Sequence, residues 1–259
     1  MKDSDNAWMK DRRSGALPDK RRKENDMGNS EIKTNLLRAE PDYRKRMGSY
    51  TLRDTLTALG YYLLMMAAYY FMGRHMAATG QYYVVPVNFI GMILIPLLIC
   101  RRPSALGLCR KNLKKSLTVS GILGALILLG IAVVPGMISG ARLLPLPKLA
   151  YNLMYYLIVI GLSEEIAFRG FIQPRLFPAL KREWLAVLAG GVLFVLSHYP
   201  FQMAMRNMSF TEYLPTFLEN APFQFLWHLV FTALYRRYDN IWGSALLHGL
   251  IDMSMGLFA

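Results

Sequence analysis

Seven long apolar runs, separated by polar loops, organise the chain from residue 56 onward. They fall at Leu56–Met72, Tyr83–Cys100, Leu117–Ile138, Leu149–Phe168, Trp184–His198, Leu214–Leu234 and Ile241–Phe258. Most approach the ~20 residues an α-helix needs to cross about 30 Å of hydrocarbon. Backbone polar groups in lipid must be satisfied within the segment, so the runs are read as helices rather than an open sheet. The pattern predicts an all-α fold, a polytopic transmembrane helical bundle of about seven spans. The fifth run is short and is extended back toward Pro178, where proline suits a first helical turn. The sixth is the weakest, because Glu219, Asn220 and Pro222 fall inside it.

The region before these runs differs in composition. Residues 1–55 hold 14 Lys/Arg and 10 Asp/Glu with few large apolar side chains. Such a stretch cannot bury enough surface to order itself, and it has no signal-peptide core. It is read as a polar cytoplasmic tail, with a basic run at Lys20–Lys23 near headgroups and a surface helix beginning in Tyr43–Arg53. The remaining 204 residues carry 16 bases and seven acids, far below the quarter of charged residues typical of a soluble domain. Three parts follow: the tail (1–55), accessory transmembrane helices (56–148) and a helical core that holds the chemistry (149–259). No metal pattern or disulfide is expected of Cys100 and Cys109.

A net charge of +13 would suggest nucleic-acid binding in a soluble protein. Here the bases flank apolar runs, as topology and anionic headgroups require, so the expected partners are the lipid bilayer and a membrane-associated peptide or protein, and not nucleic acid. With the tail inside, the inner loops Arg101–Ser116, Arg169–Glu183 and Tyr235–Asn240 hold twelve Lys/Arg, against four in Gly73–Tyr82, Ser139–Lys148 and Tyr199–Tyr213. The expectation is an integral protein of the cell (inner) membrane, amino terminus cytoplasmic and Ala259 outside.

Ionisable side chains inside such spans are costly and mark function. Glu165 and Arg169 are four apart and can pair on one helix face. Glu164 is turned about 100° away in an α-helix, which leaves it without a local counter-ion and suits it to general-base chemistry. His248 and Asp252 also share a face. They could orient one another, bind a water or metal, or simply join two helices. His198 closes its run, four residues after Phe194, and is expected further out than Glu164. His228 has no acid four residues away and is read as structural.

In order and spacing, Glu164-Glu165-x-x-x-Arg169, Phe194-x-x-x-His198 and His248-x-x-x-Asp252 resemble the motifs of the CPBP family, the CAAX prenyl endopeptidases and bacteriocin-processing (Abi) proteins. Asp252 departs from the asparagine usual there. The resemblance implies an intramembrane endopeptidase with Glu164, Glu165, Arg169, His198, His248 and Asp252 as site residues. Glu164 would activate a water, and His198 and His248 would bind it or stabilise the oxyanion. Zinc held by Glu164, His198 and His248 and a metal-free glutamate mechanism both suit these residues. A non-catalytic scaffold or immunity protein of the same fold, and a proton-coupled transporter, are the competing readings.

Overall fold

The computed structural model of the protein describes residues 38–258. The expected tail up to residue 37, with Lys20–Lys23, and Ala259 lie outside the described residues. The described chain is helical throughout, with one isolated bridge between Leu143 and Phe258. The helices are α1 Pro41–Gly48, α2 Leu52–Thr79, α3 Val84–Cys100, α4 Leu113–Ile138, α5 Leu146–Leu180, α6 Glu183–Met205, α7 Phe210–Tyr238 and α8 Trp242–Asp252.

Local signals set their ends. α1 starts on Pro41 and Asp42 and finishes on Lys45 and Arg46, matching the helix dipole. In α2, Thr51 and Asp54 cap one another, and Gly80 closes the helix at φ 72°. Four helices, α2, α4, α5 and α6, are long and apolar enough to cross a membrane. Leu56, Leu63 and Phe71 on α2 and Ile122 and Leu126 on α4 are each more than half exposed. Apolar surface that extensive has no place in water and suits lipid.

The helices sit where the apolar runs predicted them, but several ends differ. The sixth run is one continuous helix of 29 residues that contains Pro215 and Pro222. The fifth does not extend back to Pro178: that residue belongs to the end of α5, and Lys181 in a left-handed conformation (φ 57°) breaks the chain before α6 begins at Glu183. α6 continues past His198 through Pro200 to Met205, so His198 lies inside a helix, not at its end. α8 has 11 residues, about 16 Å at 1.5 Å per residue, half of the hydrocarbon thickness. The turn Met253–Gly256 prolongs it.

The loops gather into two ends. At one, Asn112 bonds the Tyr238 carbonyl, Asn240 the Lys111 carbonyl and Arg236 the Glu183 carboxylate. α1 is fastened to this end by Arg46–Asp239 at 2.5 Å and by Lys111 to Asp42 at 2.5 Å; the Lys111 ammonium holds the Asp42 carboxyl below its usual range. At the other end Arg74 bonds Asn207, Asn152 bonds the Gly256 carbonyl, and Leu144 bonds Leu257. The loops counted as inner thus share one end and those counted as outer share the other. Arg169 is an exception: α5 carries it inside the bundle, fully buried.

Close helix crossings position the core. A Cβ on Gly161 of α5 would stand 2.8 Å from the Ala245 carbonyl oxygen, and one on Gly249 of α8 would stand 2.7 Å from Leu157 Cα. Small residues here let the two backbones touch. Gly249→Val should therefore force α5 and α8 apart and cost about 1–3 kcal/mol, read as a lower unfolding midpoint in detergent with activity lost in parallel. An unchanged midpoint would show that the crossing tolerates bulk.

Candidate active site

α5 is not a uniform α-helix. A single α-turn, Ser163–Glu165, sits between two π-helical stretches, Tyr155–Leu162 and Ile166–Ile172. Such insertions are rare and cluster at functional sites. Both acids lie in the α-turn between them. Glu165 Oε1 lies 2.9 Å from Arg169 Nη1 and 3.0 Å from His248 Nδ1, and the Glu165 side chain is fully buried. Glu164 Oε2 lies 3.8 Å from Nε2 of the same imidazole, with Asp252 Oδ2 3.5 Å from that nitrogen. As α-helical geometry predicted, the two acids diverge: Glu165 turns inward to Arg169 and Glu164 toward the cavities. They address the two nitrogens of one histidine.

Nδ1 of His248 donates to Glu165, which fixes the ring and turns Nε2 toward Glu164 and Asp252. Phe231 stacks on that ring at 4.5 Å. Arg169 is wholly buried, with its guanidinium 4.3 Å from the Phe194 ring centre and 5.2 Å from that of Phe231. The cation is thus held by Glu165 and two aromatic faces. Phe194 also meets His198 edge-on at 5.0 Å, which ties the second motif to the first. His198 donates from Nδ1 to the Phe194 carbonyl at 2.9 Å and so presents Nε2 as the free nitrogen.

A cavity of about 570 Å³ joins these groups: Glu164, His198, His248 and Asp252 all line it. A smaller one of about 130 Å³ shares Glu164 and His198. The expected depth mismatch between those two side chains is absent, because His198 sits well within α6. Glu165 and Arg169 line neither cavity and stand behind His248. His228 is also outside both, buried, with Nε2 3.1 Å from the Val187 carbonyl oxygen.

The larger cavity extends to Tyr82, Arg206 and Tyr213, which belong to the end of the bundle opposite the basic loops. Much of one wall is α7: Thr216, Asn220, Gln224 and Trp227 recur at helical spacing along it. Sequence reasoning treated Asn220 as a flaw in a span. The signal that identifies the stripe is its three-to-four-residue period, the mark of an amphipathic face.

Among the described residues, no three His, Cys, Asp or Glu side chains converge in a way that could hold a metal ion. One nitrogen of His248 is committed to Glu165. Glu164, His198 and His248, which the resemblance offers as zinc ligands or as parts of a metal-free site, line one cavity without forming such a cluster.

Residues 146–254 match a family model described as Type II CAAX prenyl endopeptidase Rce1-like. The match runs from α5 to α8 and contains all six motif residues, in the family that those motifs resemble. No curated protein and no solved structure matches the chain.

Proposed function

From the match of α5–α8 to a family of CAAX-type membrane proteases, we propose that this protein is an intramembrane endopeptidase that hydrolyses membrane-associated peptides with a Glu164-activated water. One observation carries the assignment of the base. Glu165 is buried between Arg169 and His248, whereas Glu164 opens onto both cavities. In the reaction Glu164 takes a proton from water as the oxygen bonds to the scissile carbonyl carbon. His248, its Nδ1–H held by Glu165, acts as the imidazolium and donates its Nε2–H to the developing oxyanion. His198 Nε2 accepts a hydrogen bond from the water or the substrate amide. When the C–N bond breaks, Glu164 returns its proton to the leaving nitrogen, and a carboxylic acid and an amine result, the acid then passing its proton to the amine.

The test is cleavage of fluorogenic prenylated and leader peptides by protein in liposomes, with and without chelator. Turnover that survives chelation supports the water–glutamate route. Turnover abolished by chelator and restored by zinc moves Glu164, His198 and His248 to the ligand role. No turnover with either peptide class favours the scaffold reading.

The protein is placed with its basic end in the cytoplasm by the positive-inside rule, as a seven-crossing bundle. The turn after α8 supports a seventh crossing: Gly243 abuts Ser116 and Ser120 toward the basic end and Phe258 pairs with Leu143 at the other. In that orientation the end of the cavity lined by Tyr82 and Arg206 lies toward the outer side. In cells expressing a variant without the native cysteines, Arg206→Cys should react with an impermeant maleimide, and Lys114→Cys only after permeabilisation. The opposite labelling would invert the topology.

A further inference from the structure

The accessory helices α2 and α3 lie outside the matched residues 146–254, yet they reach the turn that carries Glu164. Asn88 of α3 is buried. Its Nδ2 donates to the Val159 carbonyl of α5 at 2.8 Å, and its Oδ1 accepts from the Tyr69 hydroxyl of α2 at 2.6 Å. The two bonds orient the amide, since the flipped group would set Oδ1 against a carbonyl oxygen. Val159 lies in the π-helical stretch Tyr155–Leu162, five residues before Glu164. A π-helical turn disturbs the regular backbone ladder, and a side chain from outside can enter it there. Ser163 Oγ also donates to the Val159 oxygen, at 2.5 Å, but that bond stays within α5 and moves with the helix. The Asn88 bond ties the turn to a second helix. On the far side of Glu164, Glu165 is bonded to His248 of α8. Glu164 is thus held from before and after, and Tyr69 and Asn88 line the smaller cavity with it.

We propose that Tyr69 and Asn88 are positioning residues for Glu164, acting through the Val159 carbonyl to fix the turn of α5 that aims the acid into the cavity. This rests on the reading of Glu164 as the base. A buried hydrogen bond between helices can simply join them, but two features set this one apart. Its acceptor is a main-chain carbonyl in the irregular stretch just before the base. The frame around it also has other ties: Tyr61 of α2 bonds the Gly91 carbonyl of α3 at 2.9 Å, and Tyr62 bonds the Leu193 carbonyl of α6 at 3.0 Å. Without the outside donor the stretch is free to relax toward a regular α-helix. A change of one residue in register turns a side chain by about 100°, and far less is enough to matter, since a displacement of about 1 Å can cost about 10²-fold in rate.

Asn88→Leu alone would orphan the Tyr69 hydroxyl and endanger folding. The variant to use is therefore Tyr69→Phe with Asn88→Leu, which removes both polar partners at similar volume, a change that can be nearly neutral for stability. In liposomes its kcat should fall about 10–100-fold with KM unchanged, while the unfolding midpoint stays near that of the wild type. The placement of residue 164 is read without turnover. In full-length protein lacking the native cysteines, Glu164→Cys is labelled with a small methanethiosulfonate reagent, and Thr216→Cys, on the wall of the larger cavity, is the reference. Adding Tyr69→Phe and Asn88→Leu should slow labelling at 164 several-fold and leave labelling at 216 unchanged. An unchanged kcat, a rise in KM at constant kcat, a midpoint that falls along with kcat, unchanged labelling at 164, or an equal change at 216 overturns the proposal. If labelling responds as expected but the wild-type protein cleaves nothing, or Glu164→Gln turns over as fast as wild type, the reading of Glu164 as the base fails and the anchoring of its turn stands.

Discussion

Glu164→Gln should leave the protein folded and lower its proteolytic turnover by about 10²–10⁴-fold, the usual contribution of a positioned general base. The amide preserves the size of the side chain and its place beside His248 Nε2, but it cannot accept a proton from water. Folding should be spared because no charge is orphaned. Arg169 keeps Glu165 as its partner at 2.9 Å, and the Glu164 side chain is 15% exposed to the cavity rather than sealed in the core. Turnover in liposomes and the unfolding midpoint in detergent, measured on one preparation, check both halves. Wild-type turnover by the glutamine variant would remove Glu164 from the mechanism.

The sequence exposed some of this arrangement and hid the rest for physical reasons. Apolar runs located the helices because burial in lipid acts on every residue of a span. They did not locate the ends, which depend on single residues such as Lys181, whose left-handed backbone stops α5. Spacing by four identified the Glu165–Arg169 pair, which forms as an ion pair. The same arithmetic turned Glu164 away from Glu165, and the side chains do diverge, but it could not show that they meet the two nitrogens of one imidazole on another helix. His198 looked too far out because its apolar run stops there, although the helix continues to Met205. The polar face of α7 was obscured by averaging: Asn220 and Gln224 lower the apolarity of a span wherever they point, and only their period shows that they share a cavity wall. His248 and Asp252 were visible as a pair, but the partner at Nδ1 comes from 83 residues away in sequence, and no local pattern could indicate it.

Glu165→Gln should fail for a different reason. It leaves Arg169 buried without an anion, and breaking a buried pair from one side costs about 3–5 kcal/mol. The aromatic faces of Phe194 and Phe231 recover only part of that. A large fall in the unfolding midpoint is expected, and loss of activity alone would then say nothing about chemistry. The double variant Glu165→Gln, Arg169→Met separates the two effects. Removing both charges and filling the space with an apolar chain is often neutral for stability, so the midpoint should return most of the way. Activity should not return. His248 would have lost the carboxylate that fixes its Nδ1 proton and aims Nε2 at Glu164, and an imidazole without its orienting acid donates poorly to a developing oxyanion. A stable double variant that still turns over at least about 10²-fold more slowly would make Glu165 a positioning residue for His248. A stable and fully active one would reduce it to the counter-ion of Arg169, and the orientation of His248 would then have to come from Asp252 and the stacked ring of Phe231.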